Sequence, residues 1–213
     1  MDQLTAIVER TRAELTAKND VRDATLQRSR ELIRYCAHSI RATHRGEFDR
    51  ASELLATARS AAAEMTADLQ DHPDLFYTGY TLDALKELAE AHVSFAWITG
   101  QPLPEPEELG VPHPVYLKGV GEAVAEMRRH VLNLIRRGEV AQGEPFLQLM
   151  DEAYSLLMTV DFPDAITRGL RRISDMVRGV VERTRGDLTV AMRQERLQEA
   201  LQAFEERMGS RET

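Results

Sequence analysis

The chain has 213 residues and a formal net charge of −8, so it is long enough for one substantial hydrophobic core. Its single cysteine, Cys36, excludes an internal disulfide, indicates a reducing compartment and lies in a helical pattern typical of a packed thiol. Because no apolar run reaches the roughly 18–20 residues of a membrane span and no secretory leader is recognisable, we expect a soluble, cytoplasmic protein with no membrane partner.

Helical spacing of apolar residues, punctuated by glycine and proline, predicts an all-α bundle of about seven helices in one domain that covers residues 1–213. The predicted helices, in chain order, cover residues 1–45, 47–69, 75 or 80–99, 115–137, 144–159, 164–185 and 186–208. Gly46, Gly100 and Gly138 are predicted to end the first, third and fourth of them. The proline-rich segment 101–114 is predicted to be a loop that reverses the chain.

Charged residues are segregated along the sequence, so the chain contains two basic segments although its net charge is negative. Residues 28–45 contain five arginines and one acid, and residues 168–185 contain six arginines and two acids. Four arginines of the first segment recur at steps of four, seven and four, which places them on one helix face: Arg30, Arg34, Arg41 and Arg45. This face suits binding along a phosphate backbone, although it also fits a solvated helix face that pairs with acids of a neighbouring helix.

Two pairs of glutamates occur at helical spacing on the helices that flank the proline-rich loop. Glu87 and Glu90 are three residues apart, and Glu122 and Glu126 are four apart, so each pair shares one helix face. Like charges at this spacing destabilise a helix by roughly 0.2–0.5 kcal/mol per pair unless a cation compensates them. If the two helices pack antiparallel, the carboxylates can converge on Mg²⁺, or on Mn²⁺, and support cleavage of a phosphate ester.

Other interpretations of these residues stay open on spacing alone. Acidic pairs are common on solvated helix faces, and a single helical histidine such as His92 is more often packed than catalytic. A carboxylate-bridged di-iron centre needs Glu-x-x-His motifs, which this sequence lacks. All-α nucleoside-triphosphate pyrophosphatases also bind Mg²⁺ through helical acidic pairs, but their second pair is E-x-x-D, whereas here three residues separate two glutamates.

Three segments of the sequence resemble the translin/Trax family, and specifically its Trax-like, catalytic branch. They are ELAEAHVSF at residues 87–95, PVYLKGVGEAVAEMRR at residues 114–129 and RTRGDL at residues 183–188. The resemblance is spread over about residues 22–203. In Trax proteins an E-x-x-E-A pattern and a Y-L-x-G-V-x-D-x-x-x-E pattern supply the acidic catalytic residues. The matching positions in this sequence are Glu87, Glu90, Glu122 and Glu126.

The resemblance implies a translin-like, all-α protomer that assembles into a hollow homo-oligomer, with an octamer as the expected form. It also implies a Mg²⁺-dependent endoribonuclease that cleaves single-stranded RNA inside the shell, where a metal-activated water attacks the phosphodiester. In this interpretation the four glutamates hold the metal, Glu126 accepts a proton, and the four arginines bind the RNA backbone without reading bases. Single-stranded DNA is a second possible partner.

The alternative is a non-catalytic, oligomeric RNA- or DNA-binding protein of the translin type. The family pattern has aspartate at the position of Glu122, so this chain has a side chain one methylene longer there. That difference favours the non-catalytic alternative, whereas the intact glutamate pairs favour the nuclease.

Overall fold

The computed structural model describes residues 1–209, which contain helices and no β-strand. The helices are α1 (Asp2–His44), α2 (Phe48–Ala67), α3 (Pro73–Phe76), α4 (Gly79–Thr99), α5 (Pro106–Leu109), α6 (His113–Arg136), α7 (Glu144–Met158), α8 (Asp164–Thr167) and α9 (Leu170–Gly209), with a 3₁₀ helix (Val140–Gly143) before α7. The predicted all-α class is confirmed. None of the helices in this part of the chain combines the length and apolar character needed to cross a membrane.

Glycines end three of the long helices, as the sequence predicts. Gly46, Gly100 and Gly138 have φ angles of 76°, 71° and 77°, a left-handed conformation that only glycine adopts without strain. After α1, for example, the Glu47 N–H turns back and donates a hydrogen bond to the Ala42 carbonyl oxygen at 3.0 Å. This arrangement satisfies carbonyl groups that the end of a helix would otherwise leave unpaired.

The chain forms two compact units, one from Met1 to Val120 and one from Gly121 onward, and the division falls within α6. The single domain over residues 1–213 stays a prediction. In the first unit α4 packs against α1 and α2, and its leucines Leu85 and Leu88 are fully buried. More than half of the residues of α4 are buried. The positions of polar side chains on its inner face are therefore fixed by the side chains packed around them.

The second unit is built around α7, α9 and the 3₁₀ helix, with Met150 and Val177 among its fully buried side chains. Gly143 allows a close approach here, because a Cβ atom at that position would lie 2.9 Å from Cδ1 of Leu188 and 3.3 Å from Cγ1 of Val131. The small residue thus lets the 3₁₀ helix rest directly on α9.

The predicted break between two helices at Gly186 and Asp187 is wrong, because α9 continues through both residues. Thr184 and Leu188 are buried on either side of the glycine, and the Arg128 guanidinium lies 2.8 Å from the Asp187 carboxylate. A glycine costs about 1 kcal/mol relative to alanine inside a helix, which these packing and polar contacts outweigh.

The predicted helix over residues 164–185 is instead interrupted near its start. The short α8 ends at Thr167 and is followed by Arg168 and Gly169, which have φ angles of 52° and 88°, and α9 begins at Leu170. The Asp164 carboxylate accepts a hydrogen bond from the Gly169 N–H at 2.9 Å, which stabilises this turn. Local side-chain bonding therefore ends the helix where apolar spacing predicted continuation.

Candidate metal centre

Two of the predicted site residues, Glu87 and Glu90, lie one turn apart on α4. Glu90 is 8% exposed, and the Glu87 side chain is 27% exposed. Removing a carboxylate from water costs several kcal/mol in general, so a position of this kind requires compensation by hydrogen bonds or a cation. Part of that compensation is Lys86, whose Nζ atom lies 3.3 Å from Oε1 of Glu87.

Helix α6 approaches α4 closely at Gly119. A Cβ atom on this glycine would lie 2.7 Å from Cβ of Ala89, 2.8 Å from the Lys86 carbonyl oxygen and 3.0 Å from the Glu90 backbone nitrogen. Two of these three neighbours are backbone atoms of α4, which cannot rotate out of the way. The absence of a side chain at position 119 therefore allows α6 to rest on the α4 backbone beside the glutamates.

Glu122 lies three residues after Gly119 on the uninterrupted helix α6, so it faces the same way as that contact. Glu87, Glu90 and Glu122 each offer a carboxylate oxygen, and these three oxygens lie within 4.8 Å of one another. We call these three side chains the glutamate cluster. The structure thus brings together three of the four carboxylates that the sequence proposed as metal ligands.

The donor atoms of the glutamate cluster fit a hard divalent cation. Mg²⁺ prefers oxygen ligands at about 2.0–2.1 Å, so two protein ligands of one octahedral ion lie roughly 3–4 Å apart. Oxygens within 4.8 Å of one another reach this spacing through small side-chain rotations. The all-oxygen donor set suits Mg²⁺ or Mn²⁺ better than a soft metal, which prefers sulfur or nitrogen ligands.

The fourth predicted ligand, Glu126, is half-buried on α6 one turn after Glu122 and does not belong to the glutamate cluster. Its Oε2 atom lies 3.7 Å from Nη1 of Arg129 on the same helix. A catalytic or metal-binding role for Glu126 stays a prediction.

Cys36 packs behind the glutamates on α1 and is fully buried. Burial raises the pKa of its thiol well above the ordinary range, and the nearby charges of Glu87 and Glu90 raise it further. Its side chain is therefore a neutral thiol at physiological pH, which agrees with the prediction of a packed rather than reactive cysteine.

His92 and Ser94 complete the polar side of α4. Burial lowers the pKa of His92 to about 4, with a smaller contribution from Arg59, so its imidazole is neutral at pH 7. Its Nε2 atom and the Ser94 hydroxyl are buried and have no hydrogen-bond partner in the described part of the chain. The helical positions of Glu87, Glu90 and Ser94 place the serine on the same side of α4 as the two carboxylates.

The predicted RNA-binding arginines, which we call the arginine ridge, lie on the solvent side of α1 and just past its end. Its members are all exposed: Arg30, Arg34, Arg41 and Arg45. The opposite face of α1 carries Leu32 and Cys36, which are buried. Because Cys36 adjoins Glu87 and Glu90, the arginine ridge faces away from the glutamate cluster, across the roughly 10 Å width of a helix.

Arg45 differs from the other members of the arginine ridge. It is the residue that follows the last turn of α1, and its Nε atom lies 2.6 Å from Oε1 of Glu47. This pairing raises the pKa of Arg45 and lowers that of Glu47. The positive charge of Arg45 is therefore already partly neutralised by Glu47 in the protein without bound RNA.

Lys86 is the residue beside the cluster that sequence reasoning did not assign to the site. A signal for it was present, since Lys86 is the one base among ten acids in residues 64–108. Like charges on one helix face are recognised by their helical spacing, whereas a cation adjacent to them in sequence lies outside that pattern.

The fold and the glutamate cluster define an all-helical protein with a site suited to a divalent cation, and comparisons place it in a family. A structure of AfC3PO, from Archaeoglobus, in complex with duplex RNA is 30% identical to this chain, covers 87% of this chain and 96% of that chain, and superposes with a TM-score of 0.79. A crystal structure of AfC3PO is 28% identical, with the same coverage and TM-score. The chain belongs to the translin-like family, which includes C3PO.

Two further comparisons found similar proteins. Apo-NeC3PO is 20% identical over 86% of this chain and 96% of that chain, with a TM-score of 0.78, a likeness that shows the fold alone. An uncharacterised protein of Methanocaldococcus jannaschii is 28% identical over 207 residues, which are 94% of this chain and 88% of that protein. No family model matches the sequence.

Proposed function

We propose that this chain is a Mg²⁺-dependent endoribonuclease of the Trax-like branch that cleaves single-stranded RNA within a cytoplasmic homo-oligomeric shell, an octamer. The observation that carries the proposal is the convergence of three carboxylate oxygens within 4.8 Å. The proposal is also supported by a similar protein, because AfC3PO, which is 30% identical to this chain, has a solved structure in complex with duplex RNA. Like-charged side chains that converge in a partly buried site need a cation, and the donor atoms suit Mg²⁺.

In the proposed mechanism Glu87, Glu90 and Glu122 would hold the divalent ion. When bound, the ion supplies Lewis acidity that polarises the phosphodiester and makes water a better nucleophile at neutral pH. Glu126, one turn further along α6, would accept a proton from the attacking water, directly or through a second water. The glutamates of α4 are positioned by close backbone packing, which reduces the reorganisation needed when substrate binds.

The arginine ridge would hold the RNA backbone without reading its bases, so sequence preference should be loose and binding sensitive to salt. Because the ridge faces away from the glutamate cluster, RNA that lies on it reaches the cluster by passing around α1 or from a neighbouring copy. A shell that encloses RNA provides both routes, and single-stranded DNA could follow them as well.

The direct test is cleavage of labelled single-stranded RNA by the purified chain with Mg²⁺ and with a chelator, alongside the Glu90→Gln variant. We expect cleavage that needs the divalent ion and falls by at least about 100-fold in the variant, because a general ligand or acid–base group contributes on this scale. Glu53→Gln, at an exposed position of α2, is the matched control and should cleave at the wild-type rate. Full cleavage by Glu90→Gln would remove the cluster from the mechanism.

A non-catalytic RNA- or DNA-binding protein of the translin type is the second candidate, and Glu122 in place of the family's aspartate favours it. This candidate predicts RNA or DNA that stays intact after long incubation with Mg²⁺, together with unchanged affinity when the ion is removed. Product analysis and binding measured on the same samples separate the two candidates.

A further inference from the structure

The second compact unit contains an open cleft where α7 ends and α9 begins. Its volume is about 760 Å³, and it lies between the end of α7, the loop that follows, α8 and the first turns of α9. Apolar side chains form much of its surface: Leu157, Met158, Val160, Phe162 and Pro163. Neither the metal centre nor the arginine ridge includes any of these residues.

Large apolar side chains in and beside this cleft are exposed to solvent. Met158 and Phe162 line the cleft, Leu156 and Ile166 flank it in sequence, and each of the four is more than half exposed. Single apolar residues are normal on a protein surface, but a cluster of them indicates a contact with another molecule. Aromatic residues and methionine are also enriched at the centres of interfaces between proteins.

Exposed charged side chains of both signs surround the apolar part of the cleft. Arg171 and Arg172 lie on the first turn of α9. Asp175 lies on the second turn, and Asp161 lies on the loop before α8. None of these four side chains forms an ion pair within the part of the chain that the structure describes. All four charges are therefore available to another molecule.

The balance of these charges favours a second copy of the chain over a nucleic acid. Asp164, the third acid of the cleft, already accepts a hydrogen bond from the Gly169 N–H at 2.9 Å, which leaves two arginines and two aspartates. Surfaces that bind a phosphate backbone carry an excess of positive charge, which is absent here. A two-fold axis, by contrast, brings the arginines of one copy to the aspartates of the other and the reverse.

We propose that this cleft is a contact surface between two copies of the chain that are related by a two-fold axis. Phe162 of each copy enters the apolar part of the other copy's cleft. Arg171 and Arg172 of each copy pair with the aspartates, Asp161 and Asp175, of the other copy. This inference rests on the proposed function, since it identifies one interface of the homo-oligomeric shell.

The test is the solution mass of the full chain without RNA, measured by analytical ultracentrifugation for two variants with reversed charges. One variant is Arg171→Glu/Arg172→Glu, and the other is Asp161→Arg/Asp175→Arg. We expect each variant alone to have about half the wild-type mass or less, because like charges then meet across the interface. An equimolar mixture of the two should regain the wild-type mass, because opposite charges then meet again.

Two further variants make the test specific to the cleft. Phe162→Ser removes an exposed ring, so it should lower the solution mass without unfolding the chain. Arg178→Glu/Arg183→Glu makes the same change of charge at two exposed arginines of α9 that do not line the cleft. This control should keep the wild-type mass.

Two results would overturn the inference directly. The first is that the reversed variants keep the wild-type mass, and the second is that their mixture does not regain it. If Arg171→Glu/Arg172→Glu keeps the wild-type mass but loses affinity for labelled RNA in fluorescence anisotropy, the cleft is an RNA contact and the interface is rejected.

RNA cleavage measured with Mg²⁺ on the same samples separates this inference from the proposed function. An oligomer that depends on the cleft but does not cleave RNA would support the interface and remove the nuclease. An oligomer that cleaves RNA but does not depend on the cleft would remove the interface and leave the nuclease. A monomeric wild type would overturn both the shell and the interface.

Discussion

The glutamate cluster and the arginine ridge are both groups of charged side chains, but different features of the fold fix their positions. The carboxylate of Glu90 is buried where α6 rests on the α4 backbone, and its position depends on the missing side chain of Gly119. The arginine ridge is exposed along α1 and depends only on helical spacing. The cluster should therefore respond sharply to packing changes, whereas the ridge should respond gradually to charge and salt.

Gly119→Ala should have the largest combined effect, on both stability and metal binding, because its new methyl group would meet the backbone atoms of Lys86 and Glu90 at 2.8 and 3.0 Å. We expect a loss of about 1–3 kcal/mol in the free energy of unfolding, as for other overpacked sites, and loss of divalent-ion binding. Gly79→Ala is the control, since a Cβ atom there meets nothing within 4 Å. Denaturant unfolding and Mn²⁺ titration measure both effects, and a fully stable, metal-binding Gly119→Ala would contradict the packing argument.

The comparison also applies to pH, because the imidazole of His92 on α4 is largely buried, whereas the arginine ridge is solvated. Its pKa is about 4 when folded and ordinarily 6.5, so the unfolded chain binds more protons between these values. The free energy of unfolding should therefore fall as pH drops from about 6.5 to 4, by on the order of 3 kcal/mol. In His92→Leu this part of the acid sensitivity should disappear, as followed by thermal unfolding at a series of pH values.

Single changes in the arginine ridge should act weakly and additively. Arg41→Gln should weaken RNA binding a few-fold and reduce the salt dependence by roughly one phosphate contact, because each contact releases condensed counterions. Arg45→Gln should do less, since Arg45 already pairs with Glu47 at 2.6 Å. Fluorescence anisotropy of labelled RNA across a salt series distinguishes the two, and an equal or larger loss in Arg45→Gln would contradict this ranking.

The smallest effect is expected at Gly186, an exposed position inside α9 where a Cβ atom meets nothing within 4 Å. Gly186→Ala should raise the free energy of unfolding by about 0.5–1 kcal/mol, because alanine is the better helix former. Destabilisation at this position would indicate that the helix does not continue through residue 186.

Helix class and the main helix ends were predictable from the sequence because apolar spacing and left-handed glycines are local signals. The helix break predicted at Gly186 was wrong because the buried Leu188 and the ion pair between Arg128 and Asp187 stabilise α9 on the far side of the glycine. Such long-range contacts cannot be recognised from the local sequence pattern. The early end of α8 just before Arg168 was also not predicted, since a non-glycine residue with positive φ such as Arg168 is uncommon.

The candidate site was predictable in part for the same reason. Helical spacing pairs Glu87 with Glu90, but it cannot say that α6 approaches α4 at Gly119, which is what brings Glu122 to them. Spacing likewise placed the arginines on one face without indicating that this face points away from the glutamates. Both results depend on how helices pack, and helix packing depends on side-chain shape over the whole interface.

The most direct test of the metal centre is anomalous diffraction from crystals of the full chain soaked in Mn²⁺. Our account predicts a Mn²⁺ peak bound by the carboxylates of Glu87, Glu90 and Glu122. Mn²⁺-dependent RNA cleavage by a protein whose crystals show no Mn²⁺ at these carboxylates, or show it only elsewhere, would contradict the account.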